Sequence, residues 1–300
     1  MRYLGLKIDF DTERGTRLGI LSLLTILSEF DIKGTFLFSL GPDRTGRAIT
    51  RIMRPGFFKK VSRTSVVKVY GIRTLLNGLI VPGPYIGQNH AELIQSVDNA
   101  GHEVGIHCYD HIKWQDHLHT MTEAAVRTEV YKAVQVFQKI FNMPPKTIGA
   151  AGWQASHYSL AAYDDYQLTY ASDTRGPVAF FPKIGYRTFK TLQIPTTLPT
   201  LDELIGRPDY PNDQLIPTLL NAIKPGQLNV MTIHAELEGL YYLSWFREFL
   251  RATQKEDICI IPLKGIADKL LEDKSQIPTL QVINGEIDGR SGTVALSFAP

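Results

Sequence analysis

The feature that most constrains this chain is the repeated succession of a short apolar run and an amphipathic helical stretch. Tyr3 to Asp9 alternates like a strand, and Arg14 to Phe30 then carries Leu18, Leu21, Leu24 and Leu27 at helical spacing. Gly34 to Leu40 is a short apolar run between glycines, the pattern of a strand buried on both faces of a parallel sheet. The unit recurs: Ala91 to Ala100 predicts a helix closed by Gly101, and Glu103 to Cys108 the next strand. Thr120 to Phe141 predicts the longest helix, with Thr120 and Glu123 at capping-box spacing and Val126, Val130, Val134 and Phe137 on one side, before Pro144 and Pro145 stop it. Further strands are expected at Thr147 to Ala151, Leu168 to Ser172, Leu192 to Thr196, Leu228 to Ile233 and Ile258 to Leu263. Helices are expected near Ser156 to Tyr163 and Tyr242 to Gln254. Such alternation predicts an α/β fold with right-handed crossovers, and the strand count favours a distorted (β/α)7-8 barrel over an open sheet. The barrel is expected to occupy residues 1–271, with 272–300 an irregular C-terminal tail.

A hydrophobic fraction of 44% with 21% charged residues excludes a disordered chain and a coiled coil. The longest apolar stretch, Leu18 to Leu27, is broken by Ser22 and Thr25 and is far short of the roughly 20 residues a spanning helix requires. Arg2, Lys7 and Asp9 would interrupt the apolar core of any secretory signal, so the protein is expected in the cytoplasm. The two cysteines, Cys108 and Cys259, supply neither a disulfide framework nor a CxxC metal pair, and both are expected as buried small hydrophobes.

Charge is unevenly distributed. Of 32 basic residues, nine fall between Arg44 and Arg73 with no acidic residue among them, leaving 23 basic against 30 acidic elsewhere. Arg44, Arg47, Arg51, Arg54, Lys59, Lys60 and Arg63 alternate there with apolar residues such as Ile52, Phe57, Phe58 and Val61. A barrel needs only a short connection at that point, so residues 42–88 are expected to be a basic, amphipathic insertion facing an anionic membrane surface. The run accompanies no nucleic-acid-binding motif, and nothing in the sequence points to an obligate protein partner.

The ends of the expected strands carry the chemistry. Asp9 and Asp11 leave one face about 7 Å apart along a strand, so one could ligate a metal while the other acts as a base; Asp11 could alternatively cap the following helix. His107-Cys-Tyr-Asp-His111 places two imidazoles four residues apart, where they can converge on one ion with Asp11. His234, closing a later strand, is a candidate general acid. Asp173 is a candidate to orient a neighbour, and Arg175 to bind a phosphate or carboxylate with both arms of its guanidinium.

Asp9-Phe-Asp11, His107-x-x-x-His111, Ser172-Asp173 and Ile233-His234, in that order and spacing, resemble the polysaccharide deacetylase (NodB homology) family, and the resemblance runs from about residue 2 to 290. It implies a distorted barrel in which Asp9 is the catalytic base, His234 the catalytic acid, and Asp11, His107 and His111 hold one divalent metal ion: Zn, Co, Mn or Fe. The longer runs Ile8 to Thr16, Ala150 to Trp153, Ser172 to Gly176, Gln193 to Thr200 and Thr232 to Glu236 are similar to members acting on an N-formylated sugar carried by a polyprenyl phosphate. That implies a hydrolase releasing formate at the cytoplasmic face of the inner membrane, its amino-sugar lipid serving lipid A modification and resistance to cationic peptides. Trp153 and Glu236 are implied near the substrate. One departure stands out: the strand expected to supply an Arg partner for Asp173 ends Ala150-Ala-Gly-Trp153, which makes Arg175 the candidate replacement. A deacetylase of another N-acylated sugar and a non-catalytic barrel binding a lipid-linked glycan are the alternatives.

Overall fold

The structure, a computed structural model, describes residues 2–48 and 69–298. Strand β1 (Arg2–Phe10) lies at its centre, pairing in parallel with β2 (Thr35–Ser39), β9 (Val230–His234) and, near its start, β10 (Ile258–Ile261). From β2 the curled sheet continues in parallel through β3 (Glu103–Cys108), β4 (Thr147–Ile148), β5 (Tyr170–Ala171) and β8 (Leu192–Gln193). No ladder joins β8 to β9. The gap is bridged instead by the stretch after β8, where Thr197 and Leu198 donate backbone bonds to Val230 O and Thr196 shares a hydroxyl bond with Thr232. This is the expected barrel, distorted at its seam.

Leu4, Leu6, Ile8 and Phe10 are sealed from solvent in the main core, while Lys7 and Asp9, on the other side of β1, are buried as well. The alternation that marks an ordinary half-exposed strand therefore has another meaning here, because its polar side faces the barrel interior.

The helix Ile20–Glu29 buries Ile20, Leu23, Ile26 and Leu27 and leaves Leu21 60% exposed, so the expected Leu18-Leu21-Leu24-Leu27 stripe is not the buried face. Strict spacing of three drifts by about 60° per step around a helix of 3.6 residues per turn, so Leu18 and Leu27 fall on opposite sides and the four leucines cannot share one buried face. A π-helical turn, Gly15–Gly19, precedes the helix. The turn brings its backbone against the end of β9: a side chain at Gly15 would begin 2.0 Å from Glu236 Oε1.

The long helix spans Glu123–Phe141 and buries Val126, Val130, Val134 and Phe137 as the period requires. Its N-cap, however, is Thr122, whose hydroxyl accepts the Ala125 N–H at 3.3 Å. Thr120 belongs to a preceding 3-10 turn, Leu118–Thr120, and gives its hydroxyl hydrogen to His117 O. The other helices lie near their expected places, at Ala91–Asn99, His157–Asp165 and Leu243–Lys255.

Strands β4, β5 and β8 are two residues each, shorter than expected. Their ladders stop where the backbone turns to side chains at the mouth: Gly149 O takes His107, Ala150 N takes Asp173, and Ser172 O takes Lys7.

Residues 272–298 are not an irregular tail. Strands β11 (Thr279–Glu286) and β12 (Thr293–Phe298) form an antiparallel hairpin, and with β6 (Phe181–Ile184) and β7 (Arg187–Thr188) they make a four-stranded sheet. This sheet docks on the barrel at Arg175, whose N–H donates to Ala295 O and whose O accepts from Ser297 N. β12 alternates over only six residues with a small Ala among them, and β11 carries Asn284 and Gly285, so the hairpin has little sequence signal. Cys108 is buried, whereas Cys259 is half-buried; both thiols are free.

The capping assignment gives two contrasting expectations. Thr122→Ala should lower stability by about 1 kcal/mol, the usual cost of a lost N-cap, and Thr120→Ala should change it by less than half as much; urea titrations of both variants measure the difference.

Candidate active site

Because β1, β3, β4, β5 and β9 run in parallel, their C-terminal ends open onto one mouth, the end of a barrel where side chains from several strands can meet. Asp9, His107 and His234 occupy the ends of β1, β3 and β9, and Asp9 is the register partner of His234. Asp11 follows β1 directly. His111 opens the helix His111–His117, whose N-cap is Asp110: one carboxylate oxygen accepts Lys113 N at 3.1 Å and the other takes Arg44 at 2.6 Å. A helix started at that point swings His111 back over His107, their ring centroids 5.3 Å apart.

Asp11 Oδ1 lies 3.2 Å from His107 Nε2 and 3.3 Å from His111 Nε2. Asp11, His107 and His111 each offer a ligand atom within 4.8 Å of the others, the one such cluster of three among the described residues. His107 Nδ1 donates to Gly149 O at 2.5 Å, which fixes the tautomer and leaves the Nε2 lone pair facing the Asp11 carboxylate. Both Asp11 Oδ1 and His107 Nε2 are buried without a hydrogen-bond partner. Two buried lone pairs turned toward each other repel unless a cation lies between them, so these residues fit a divalent metal ion. Asp11 does not cap the following helix; Thr12 does the local work, accepting Gly15 N on its hydroxyl. Burial would raise the Asp11 pKa, but the adjacent His111 and His107 hold it well below the usual carboxylate range. Burial would likewise lower His107, and the Asp9 and Asp11 carboxylates outweigh it.

Lys7 was invisible as a site residue in the sequence. It has no solvent exposure; its ammonium lies 3.4 Å from Asp9 Oδ2, donates to Ser172 O at 2.9 Å and sits 5.4 Å from the Trp153 ring centre. Asp9 Oδ1 remains free of hydrogen bonds, 3.8 Å from His107 Nδ1. Gly149 makes room for Leu37 and for the lysine, since a Cβ there would stand 2.4 Å from Leu37 Cδ1 and 3.0 Å from Lys7 Cε. Asp173 accepts Ala150 N at 2.6 Å and is bracketed by Gln193; burial pushes its carboxyl up to about 6, with Lys7 pulling the other way.

Arg175 does not take the place of the missing arginine beside Asp173. Its guanidinium holds Glu203 at 2.7 and 3.2 Å and the carbonyls of Thr196 and Leu198, so the expected two-armed carboxylate contact exists but is internal. The cation beside Asp9, acting on Asp173 as well, is Lys7. Trp153 stands at the mouth with φ +52°, donates to Thr196 Oγ1 at 3.0 Å and meets His234 edge-on at 6.2 Å. Arg175 and, from the C-terminal hairpin, Arg290 lie over its ring at 5.0 and 4.4 Å. Glu236 is fully buried and accepts both the N–H and the hydroxyl of Thr12; burial and the Asp11 charge push it up to about 8.

Of the basic insertion, Arg44 is paired with Asp110 and Arg47 donates to Gly78 O at 2.8 Å. Arg51, Arg54, Lys59, Lys60 and Arg63 lie outside the described residues. Asp43 ties the residues after β2 to Glu13 and Asn77, accepting Glu13 N, Thr45 N and Asn77 Nδ2.

Removing Lys7 leaves buried carboxylates without their cation. Lys7→Met should therefore destabilise the protein by about 3–5 kcal/mol, and Gly149→Ala, by crowding both Leu37 and the lysine, should shift the denaturation midpoint in the same direction.

Three comparisons place this arrangement among known proteins. The family model described as polysaccharide deacetylase matches residues 10–171, a span that includes Asp11, His107 and His111. A relative from Shewanella sediminis (strain HAW-EB3), named "Probable 4-deoxy-4-formamido-L-arabinose-phosphoundecaprenol deformylase ArnD", is 38% identical over 96% of this chain and 92% of its own length. One of the same name from Wigglesworthia glossinidia brevipalpis is 34% identical over 94% and 97%. A crystal structure from Mycobacterium smegmatis described as a polysaccharide deacetylase shares the fold, with a TM-score of 0.64 over 95% of this chain and 96% of that one at 17% identity. On the family match and these near full-length relatives, the chain belongs to the polysaccharide deacetylase family.

Proposed function

We propose that this protein is a metal-dependent deformylase that hydrolyses the N-formyl group of 4-deoxy-4-formamido-L-arabinose linked to undecaprenyl phosphate. The observation that carries the reading is the convergence of Asp11, His107 and His111 beside Asp9 and His234. Their relatives' names supply the substrate.

A divalent cation in that cluster would supply Lewis-acid polarisation of the formyl oxygen and a lowered pKa for water. The chain's own residues do the rest. Asp9, with one carboxylate oxygen toward Lys7 and the other free, accepts the proton of the attacking water as its oxygen bonds to the formyl carbon. His234 donates a proton to the amide nitrogen as the C–N bond breaks, so that formate and a cationic amino sugar leave. Trp153 walls the mouth against bulk water. The metal is Zn, Co, Mn or Fe, all of which accept two imidazoles and a carboxylate.

The lipid-linked substrate calls for a membrane surface. Among the described residues no helix is long and apolar enough to cross one. The turn closed by Gly78 N and Val81 O carries Leu79 and Ile80 at its tip, 49% and 72% exposed, with Ile72 69% exposed nearby in the chain. Together with the basic run of residues 44–73, these support a lobe that rests on the cytoplasmic leaflet, each engaged basic residue contributing about 1 kcal/mol at most.

Incubating the metal-loaded protein with the formamido-sugar polyprenyl phosphate should release formate, and His107→Ala should lose bound metal and at least about a thousandfold in rate together. Release of acetate from an N-acetyl analogue in preference to formate would replace the deformylase reading. In co-sedimentation, the protein should bind vesicles containing anionic lipid and leave them as salt rises; binding indifferent to both would remove the electrostatic part of the membrane reading.

A further inference from the structure

His234 must hold and then release a proton, and its surroundings decide how firmly it is placed. The carboxylate bonded to it among the described residues is Glu238, whose Oε2 accepts the His234 backbone N–H at 2.9 Å. Glu238 is fully buried, its Oε1 has no hydrogen-bond partner, and His234 Nδ1 is likewise buried without one. The π-helical turn Leu237–Tyr241 makes the contact possible, since it carries the chain back beneath the end of β9 within four residues. Of the other fully buried carboxylates of this rim, Asp173 is occupied by Ala150 N and Gln193, and Glu236 by the N–H and hydroxyl of Thr12.

We propose that Glu238 is the positioning residue for His234: it pins the end of β9 by its backbone bond and supplies the buried negative charge against which the imidazolium forms. This rests on the deformylase reading. Other groups facing His234 are Trp153 at its edge, Asp9 on the neighbouring strand and Asp11, with which it interacts electrostatically. Burial lifts the Glu238 carboxyl to about 7, while the attraction of His234 pulls it down and Asp202 pushes it up.

A double-mutant cycle on formate release tests this. Glu238→Gln preserves shape and an oxygen for the backbone bond but removes the charge. It should lower kcat about tenfold, within the range for directly coupled residues, with KM and bound metal unchanged. On the His234→Asn background the same change should have almost no effect, and Glu238→Asp should recover part of the rate lost in the Gln variant. Equal losses on both backgrounds, or an Asp variant no better than Gln, would overturn the role of Glu238 and leave the deformylase reading standing. A wild-type protein that yields no formate overturns both.

Discussion

A lysine without solvent contact sits inside the barrel, and the arrangement of the mouth depends on it. Lys7 joins β1 to the end of β5 through Ser172 O and lies against Asp9. Several carboxylates, Asp9, Asp173, Glu236 and Glu238 among them, are buried within this one rim, and an assembly of buried acids without a cation would be expelled or neutralised. Part of that accommodation is visible in the raised carboxyls of Asp173, Glu236 and Glu238. The rest falls to Lys7 and to the Asp11-His107-His111 cluster, whose converging lone pairs fit a second positive charge.

The barrel is built to serve that polar interior. Its ladders end early at β4 and β5 because the next backbone groups orient His107, Asp173 and Lys7. Rigid strands thus deliver the side chains, and the first residues beyond them fix their rotation. The same logic explains the positive φ of Gly152 and Trp153: a tight turn there sets the indole upright beside His234, held by Thr196.

The C-terminal hairpin closes the far side of the mouth. Arg290 reaches over Trp153, the Gln154 amide donates to Thr293 O, and Arg175 is held by both the hairpin backbone and Glu203. Cations on an aromatic face gain most when water is excluded, which is the environment this sheet creates. Opposite in character is the segment of residues 69–85, where Asn77 is bonded to Asp43 and Ile72, Leu79 and Ile80 are exposed.

The residue pattern alone determined the alternating α/β architecture, because burial on a repeating period leaves a direct mark on composition. It also determined the cluster of Asp9, Asp11, His107, His111 and His234, because parallel strands bring their C-terminal residues to one end whatever their separation in the chain. The tertiary structure decided what depends on long-range approach. Lys7 reads as an ordinary polar position until β5 is placed across from it; Glu238 reads as one more surface acid until a π-turn folds it under β9; Arg175 reads as a ligand-binding group until the fold sets Glu203 against its guanidinium. Local periodicity reports which face is buried, but a wider turn such as Gly15–Gly19 or a partner more than a hundred residues away changes what that face meets.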